Sequence, residues 1–184
     1  MTGEAPLEHT EHGTVPAGHG WFVLNAREAP WRERSGRGFF CEFESPVDDR
    51  ASFEQLGINI QVLAPGEPMA MYHWERDQED FLVIAGEALL IVEGEERTLR
   101  SWDLAHCPAG TKHTIVGAGE TPCVVVAMGA RRHGTAGDWG AYTVAAAAVR
   151  RGAGVETETG DPAEAYARFG PSRLTRCPDG MLPC

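Results

Sequence analysis

The chain has 184 residues, 42% of them apolar and 23% charged, with a formal net charge of −11. That profile is expected of a single soluble globular domain long enough to bury a sizeable core. An acidic surface is a poor match for a phosphate backbone, so no nucleic-acid partner is expected.

Nor is a membrane role expected: no apolar run approaches the ~20 residues that span a bilayer. The start, Met1-Thr-Gly-Glu-Ala-Pro-Leu-Glu8, lacks the basic and apolar parts of a secretory leader, which points to the cytoplasm. Cys41, Cys107, Cys123, Cys177 and Cys184 are scattered, without CxxC spacing, and read as reduced thiols. Cys177 and Cys184 stand close enough to pair or share a metal, but a C-x6-C spacing carries little weight.

Residues 1–20 are rich in Gly, Pro, His and Glu without periodicity and read as a mobile N-terminal arm. The barrel domain is expected over 21–132. Trp21–Leu24 and Gly38–Phe43 look like its first strands, followed by Gly57–Leu63 and Met69–Glu75. Phe81–Ala85 stops at Gly86, and Ala88–Val92 turns through Glu93-Gly94-Glu95-Glu96 into Arg97–Arg100 as a hairpin. Thr114–Val116 and Cys123–Met128 close the run. Ile60, Val62, Val124 and Val126 are expected to point inward together with Met71, Phe81, Val83, Leu90, Val92 and Ile115. Short strands at even spacing with Gly and Pro turns indicate an all-β sandwich or barrel.

Residues 133–184 read as a C-terminal extension. Ala145–Arg151 favours a turn or two of helix. Asp161-Pro162-Ala163-Glu164 offers an N-cap carboxylate, a proline at the first helical position and a glutamate three after the cap, so a short helix is expected over Pro162–Phe169. The rest reads as irregular.

The chemistry lies between Gly66 and Gly117. In a strand, residues i and i+2 share a face, so His73 and Glu75 project together with Trp74 opposite. Glu79 follows after a short bend, and His113 comes from a distant strand just past Pro108-Ala-Gly110. If those strands are neighbours, two imidazoles and one or two carboxylates converge, a donor set for one divalent metal ion such as Fe, Mn, Zn or Ni. Two uncompensated carboxylates in an apolar barrel would be costly, and a divalent cation removes that cost. His106 has the wrong spacing and reads as a strand side chain, His133 as exposed, Tyr72 and Trp74 as packing residues and Cys107 as a core thiol.

At these residues the chain resembles the cupin superfamily. The first cupin motif, G-x5-H-x-H-x3,4-E-x6-G, is met by Gly66, His73 (one place late), Glu75, Glu79 and Gly86. The second, G-x5-P-x-G-x2-H-x3-N, is met by Trp102, Pro108, Gly110, His113 and Gly117. Glu75 replaces the second histidine, Trp102 the opening glycine and Gly117 the closing asparagine. The resemblance implies an all-β double-stranded β-helix, a jelly-roll barrel, with His73, Glu79 and His113 as metal ligands. Glu75 is either a fourth ligand or a general base toward a metal-bound water. It also implies a small-molecule substrate or ligand and a homodimer through paired edges. Three functions fit: a metalloenzyme of dioxygenase, isomerase or lyase type, a non-catalytic ligand-binding or sensor barrel, and a barrel whose metal is purely structural.

Overall fold

A computed structural model of the chain describes residues 3–44, 53–133 and 139–183; Cys184 lies outside them. Among the described residues the strands are β1 (Leu7–Thr10), β2 (Gly13–Pro16), β3 (Trp31–Glu33), β4 (Phe39–Cys41), β5 (Leu56–Leu63), β6 (His73–Glu75) and β7 (Glu79–Ala85). They continue with β8 (Glu87–Val92), β9 (Glu95–Arg100), β10 (Leu104–Cys107), β11 (His113–Ala118), β12 (Cys123–Ala130), β13 (Gly140–Tyr142) and β14 (Arg173–Thr175). Two short helices, α1 (Ala146–Arg150) and α2 (Pro162–Ala165), complete the set.

The strands form a seven-stranded sheet, β10-β7-β12-β5-β4-β3-β14, and a five-stranded sheet, β13-β6-β11-β8-β9, with β1 and β2 as a separate pair. Every pairing between named strands is antiparallel. The chain crosses from one sheet to the other at Gly86, which sits at φ +74°, where a Cβ would lie 2.7 Å from the Pro122 carbonyl oxygen. Only glycine takes that turn without strain. The architecture is an all-β double-stranded β-helix.

Between the sheets lies a core of Leu63, Phe81, Val83, Leu90, Ile115 and Val125, with Cys107 and Cys123 among them. Each such large side chain stabilises the fold by roughly 1.5–3 kcal/mol on burial. A second cluster, Trp31, Cys41, Val62 and Val124, packs on the opposite face of β5 and β12 under residues of the N- and C-terminal segments. Val62 and Val124 therefore face away from the barrel interior, not into it as their apolar character suggests, and Ile60 packs with them. Met71 likewise packs elsewhere, against Tyr142, Val155 and Ala165. The inward parity of β5 belongs to Gly57, Asn59, Gln61 and Leu63, three of which are polar or lack a side chain.

Other differences are local. Residues 7–16 form a hairpin in which Val15 is buried and Thr10 donates to the Gly13 carbonyl. Trp21–Leu24 is not a strand: Trp21 makes only a single bridge to Glu4, and Val23 is 78% exposed. An apolar tetrapeptide without a neighbouring strand to pair with does not extend a sheet. In the expected strand 69–75 only β6 is regular, because Tyr72 and Met69 donate to Ala153 and Ile115 instead of to a continuous ladder. The C-terminal segment expected to be irregular supplies β14, which pairs with β3. Helix α2 begins as expected, with Asp161 accepting from Ala163 N at 2.8 Å, but ends after four residues. Glu164 accepts from the Thr159 hydroxyl instead of closing a box on its own cap. Cys41, Cys107, Cys123 and Cys177 are free thiols.

Candidate metal centre

His73 and His113 are direct partners across the β6–β11 pairing, on the five-stranded sheet. Opposed residues of an antiparallel pair bring their side chains close on one face. Glu79 opens β7 on the seven-stranded sheet, so the two sheets meet at these side chains. One ligand atom from each of the three lies within 4.8 Å of the others. Glu79 Oε2 is 3.1 Å from His113 Nε2 and 3.4 Å from His73 Nε2.

The backbone fixes which nitrogen of each ring faces the cluster. His73 Nδ1 lies 2.7 Å from the Met71 carbonyl, and His113 Nδ1 3.0 Å from the Thr111 carbonyl. A carbonyl only accepts, so each Nδ1 carries its proton and each Nε2 is turned toward Glu79. His113 Nε2 and Glu79 Oε2 are buried without an aligned hydrogen bond. Such orphaned groups cost about 1–3 kcal/mol each, and more when charged. A cation among the three atoms would satisfy all of them at once, and two imidazoles with one carboxylate are a donor set suited to it.

Electrostatics agrees with that arrangement. Burial opposes charge on His73, yet the Glu75 and Glu79 carboxylates outweigh it and hold the imidazole well above its ordinary value. His113 is raised to about 9 against the same burial penalty, by Cys107 and Glu79. Burial works against the Glu79 carboxylate, but the two imidazoles dominate and draw it down to about 2. Without a metal, the carboxylate and the two imidazoles favour one another's charged forms.

Glu75 is brought to the same face as His73, with Oε1 3.5 Å from His73 Nε2, but it is not one of the three converging groups and its side chain is 30% exposed. Its carbonyl accepts from Gly110 N at 2.7 Å, which ties the first cluster to the Pro108-Ala-Gly110 turn. Tyr72 packs away from the site, its hydroxyl accepting from Gly94 N. His106 is exposed beside Asp80, and His133 is half-exposed beside Asp77.

The cluster lines a cavity of about 190 Å³ that also holds Arg34, Arg37, Gln61, Tyr142 and Tyr166. Asn59, Glu75, Glu79, Trp139 and Tyr142 line both this cavity and a wider cleft of about 810 Å³. Trp139 and Tyr142 lie tilted against His73 with ring centroids 6.0 and 5.9 Å away. None of Arg34, Arg37, Asn59, Gln61, Trp139, Tyr142 or Tyr166 is signalled by the sequence motifs. The one available signal was Asn59 and Gln61 alternating with isoleucine and valine along β5.

The structure is thus an antiparallel double-stranded β-helix with a histidine–carboxylate cluster inside its barrel that could hold a metal ion. Residues 59–129 match the family model described as "Cupin domain", so this segment of the chain is a cupin domain. No curated protein matches the chain. Among solved structures, it resembles a sugar phosphate isomerase from the cupin superfamily of Silicibacter pomeroyi at 23% identity, covering 69% of this chain and 71% of that one with a TM-score of 0.43. The polyketide cyclase RemF from Streptomyces resistomycificus is 10% identical over 59% of this chain and 78% of that one, with a TM-score of 0.47. An RmlC-like cupin family protein from Methanocaldococcus jannaschii is 22% identical over 44% and 73% of the respective chains, with a TM-score of 0.40.

Proposed function

We propose that the chain is a mononuclear metal-binding cupin that acts as a metalloenzyme on a small molecule, with His73, Glu79 and His113 as the protein ligands. The observation that carries this reading is the set of three converging acceptor atoms, two of them buried without a hydrogen bond. A divalent cation held there supplies Lewis acidity and open coordination positions. The Met71 and Thr111 carbonyls hold the imidazoles in the tautomer that binding needs. Glu75 lies beside His73 and lines the cleft, which supports its reading as the general base toward a molecule entering there. A purely structural metal would be sealed from solvent, whereas the wide cleft reaches Glu75 and Glu79.

The test is the metal content of the protein purified without a polyhistidine tag, beside the His73→Ala/His113→Ala double variant. About one equivalent of a single metal in the parent, absent in the variant, is expected. A parent that takes up no metal even on reconstitution sinks the proposal. Catalysis is then separated from simple binding by Glu75→Gln: an enzyme loses turnover with its melting temperature kept, whereas a binding barrel shows ligand-dependent stabilisation without product.

A further inference from the structure

The same cavity contains two guanidinium groups that the metal reading does not use. Arg34 and Arg37 stand in the turn between β3 and β4, where Arg37 N donates to the Arg34 carbonyl and Arg34 N to the Gly38 carbonyl. Arg34 donates to the carbonyls of Met69 and Arg37 at 3.3 and 3.0 Å and to Gln61 Oε1. Arg37 donates to the Met69 carbonyl at 3.0 Å and lies over the Tyr166 ring, 3.9 Å from its centroid. All of these partners are neutral. Among the described residues no carboxylate lies within ion-pair distance of either guanidinium, and both Nε atoms are buried without a hydrogen bond.

Two like charges packed together in a partly desolvated cavity repel, and each has lost water that neutral carbonyls only partly replace. Burial and the neighbouring Arg37 together draw Arg34 down to about 9, against a smaller opposing influence of Tyr166, Glu67 and Glu42. The two guanidiniums line the same cavity as His73, Glu79 and His113, so a small molecule held there would meet both groups. Guanidinium forks match the paired oxygens of a carboxylate or phosphate.

We propose that Arg34 and Arg37 bind an oxyanion, the carboxylate or phosphate of a small acidic substrate whose remaining atoms face the His73–Glu79–His113 cluster. The inference rests on the proposed function for the identity of the second half of the site, but the anion subsite stands independently of the metal. It also lies outside residues 59–129, which match the family, so the acidic specificity is added to the barrel by the N-terminal β3–β4 turn.

The test is calorimetric titration of the full chain with sodium acetate and, separately, sodium phosphate, ionic strength being held constant with sodium chloride. Saturable one-site binding of at least one anion is expected, and whichever binds tells a carboxylate from a phosphate site. In Arg37→Gln, affinity falls by about tenfold to a hundredfold, the loss of one charge-assisted contact, while metal content stays at the parental level. In His113→Ala, anion binding persists although metal is lost. A metal-free parent that still binds anion overturns the metal reading and leaves this one intact. The subsite is refuted if neither anion binds saturably, if folded Arg37→Gln binds as well as the parent, or if binding vanishes in His113→Ala alone. Should Arg37→Gln not fold, the buried, exchange-protected arginine Nε–H resonances of the ¹⁵N-labelled parent give the answer. Their movement along the same saturation curve supports the subsite, and their constancy overturns it.

Discussion

Trp102 occupies the place where the second cupin motif has its opening glycine, and its backbone explains the motif. It sits at φ +76°, in the left-handed region, with its side chain 74% exposed and its N–H donating to the Val83 carbonyl at 2.7 Å. A bulky residue in that conformation costs roughly 1–2 kcal/mol, and the exposed indole recovers little of it by burial. Glycine relieves the strain but gives back about 0.5–1 kcal/mol through the freedom of the unfolded chain. Trp102→Gly is therefore expected to stabilise the fold by about 0.5 to 1 kcal/mol. The denaturant midpoint checks it, and a midpoint lowered by the substitution contradicts the account.

At the scale of elements, Gly117 shows why the closing asparagine of the motif is missing. Strand β11 runs against the turn after β5, where Gly66 N donates to the Gly117 carbonyl and Gly117 N to the Glu67 carbonyl. A Cβ on Gly117 would lie 2.1 Å from the Ala64 carbonyl oxygen. Gly117→Ala is expected to cost about 3 kcal/mol, because the backbone must move to admit it; urea unfolding with an unchanged midpoint would count against this. The His-x-Glu spacing, the glycine turns and the capped α2 were legible because each rests on local chemistry. The parity of β5 and β12 was not, since both faces of these strands are covered and Cys123-Val124-Val125-Val126-Ala127 carries no alternation. In β5 the rule that apolar residues face the barrel inverts: Ile60 and Val62 serve the outer cluster and Asn59 and Gln61 the cavity. The arginines of the β3–β4 turn, Trp139 and Tyr142 at β13, and Tyr166 just after α2 were hidden for another reason. Only pairings between distant segments bring them to the site.

For the whole molecule, the charged cluster sets a pH dependence whose sign follows from its three groups. In metal-free protein, His113 is raised from 6.5 to about 9, so its contribution is full below pH 6.5 and is lost as pH rises through 9. His73 acts in the same sense. Glu79 is lowered from 4.5 to about 2, so its contribution is full above pH 4.5 and is lost as pH falls toward 2. The chelated protein should melt highest between about pH 4.5 and 6.5 and lose stability toward pH 9. A cation in place of the Nε2 protons should remove the alkaline loss and release protons on binding at pH 7. Calorimetry in buffers of different ionisation enthalpy measures that release, and a melting curve flat from pH 6.5 to 9 in chelator would refute the assignment.

The packing of Trp139 beside His73, 6.0 Å between ring centroids, makes the protein its own optical probe. An imidazolium or a paramagnetic ion at that range drains the excited state of an indole. Among the described residues, Trp139 is the tryptophan whose ring lies tilted against a cluster histidine. Emission should therefore brighten or dim as the cluster exchanges protons for metal, and Trp139→Phe should silence the change while leaving the occupant in place. Titrating the light of one indole would follow the filling of the barrel in real time, with no substrate known and no label added.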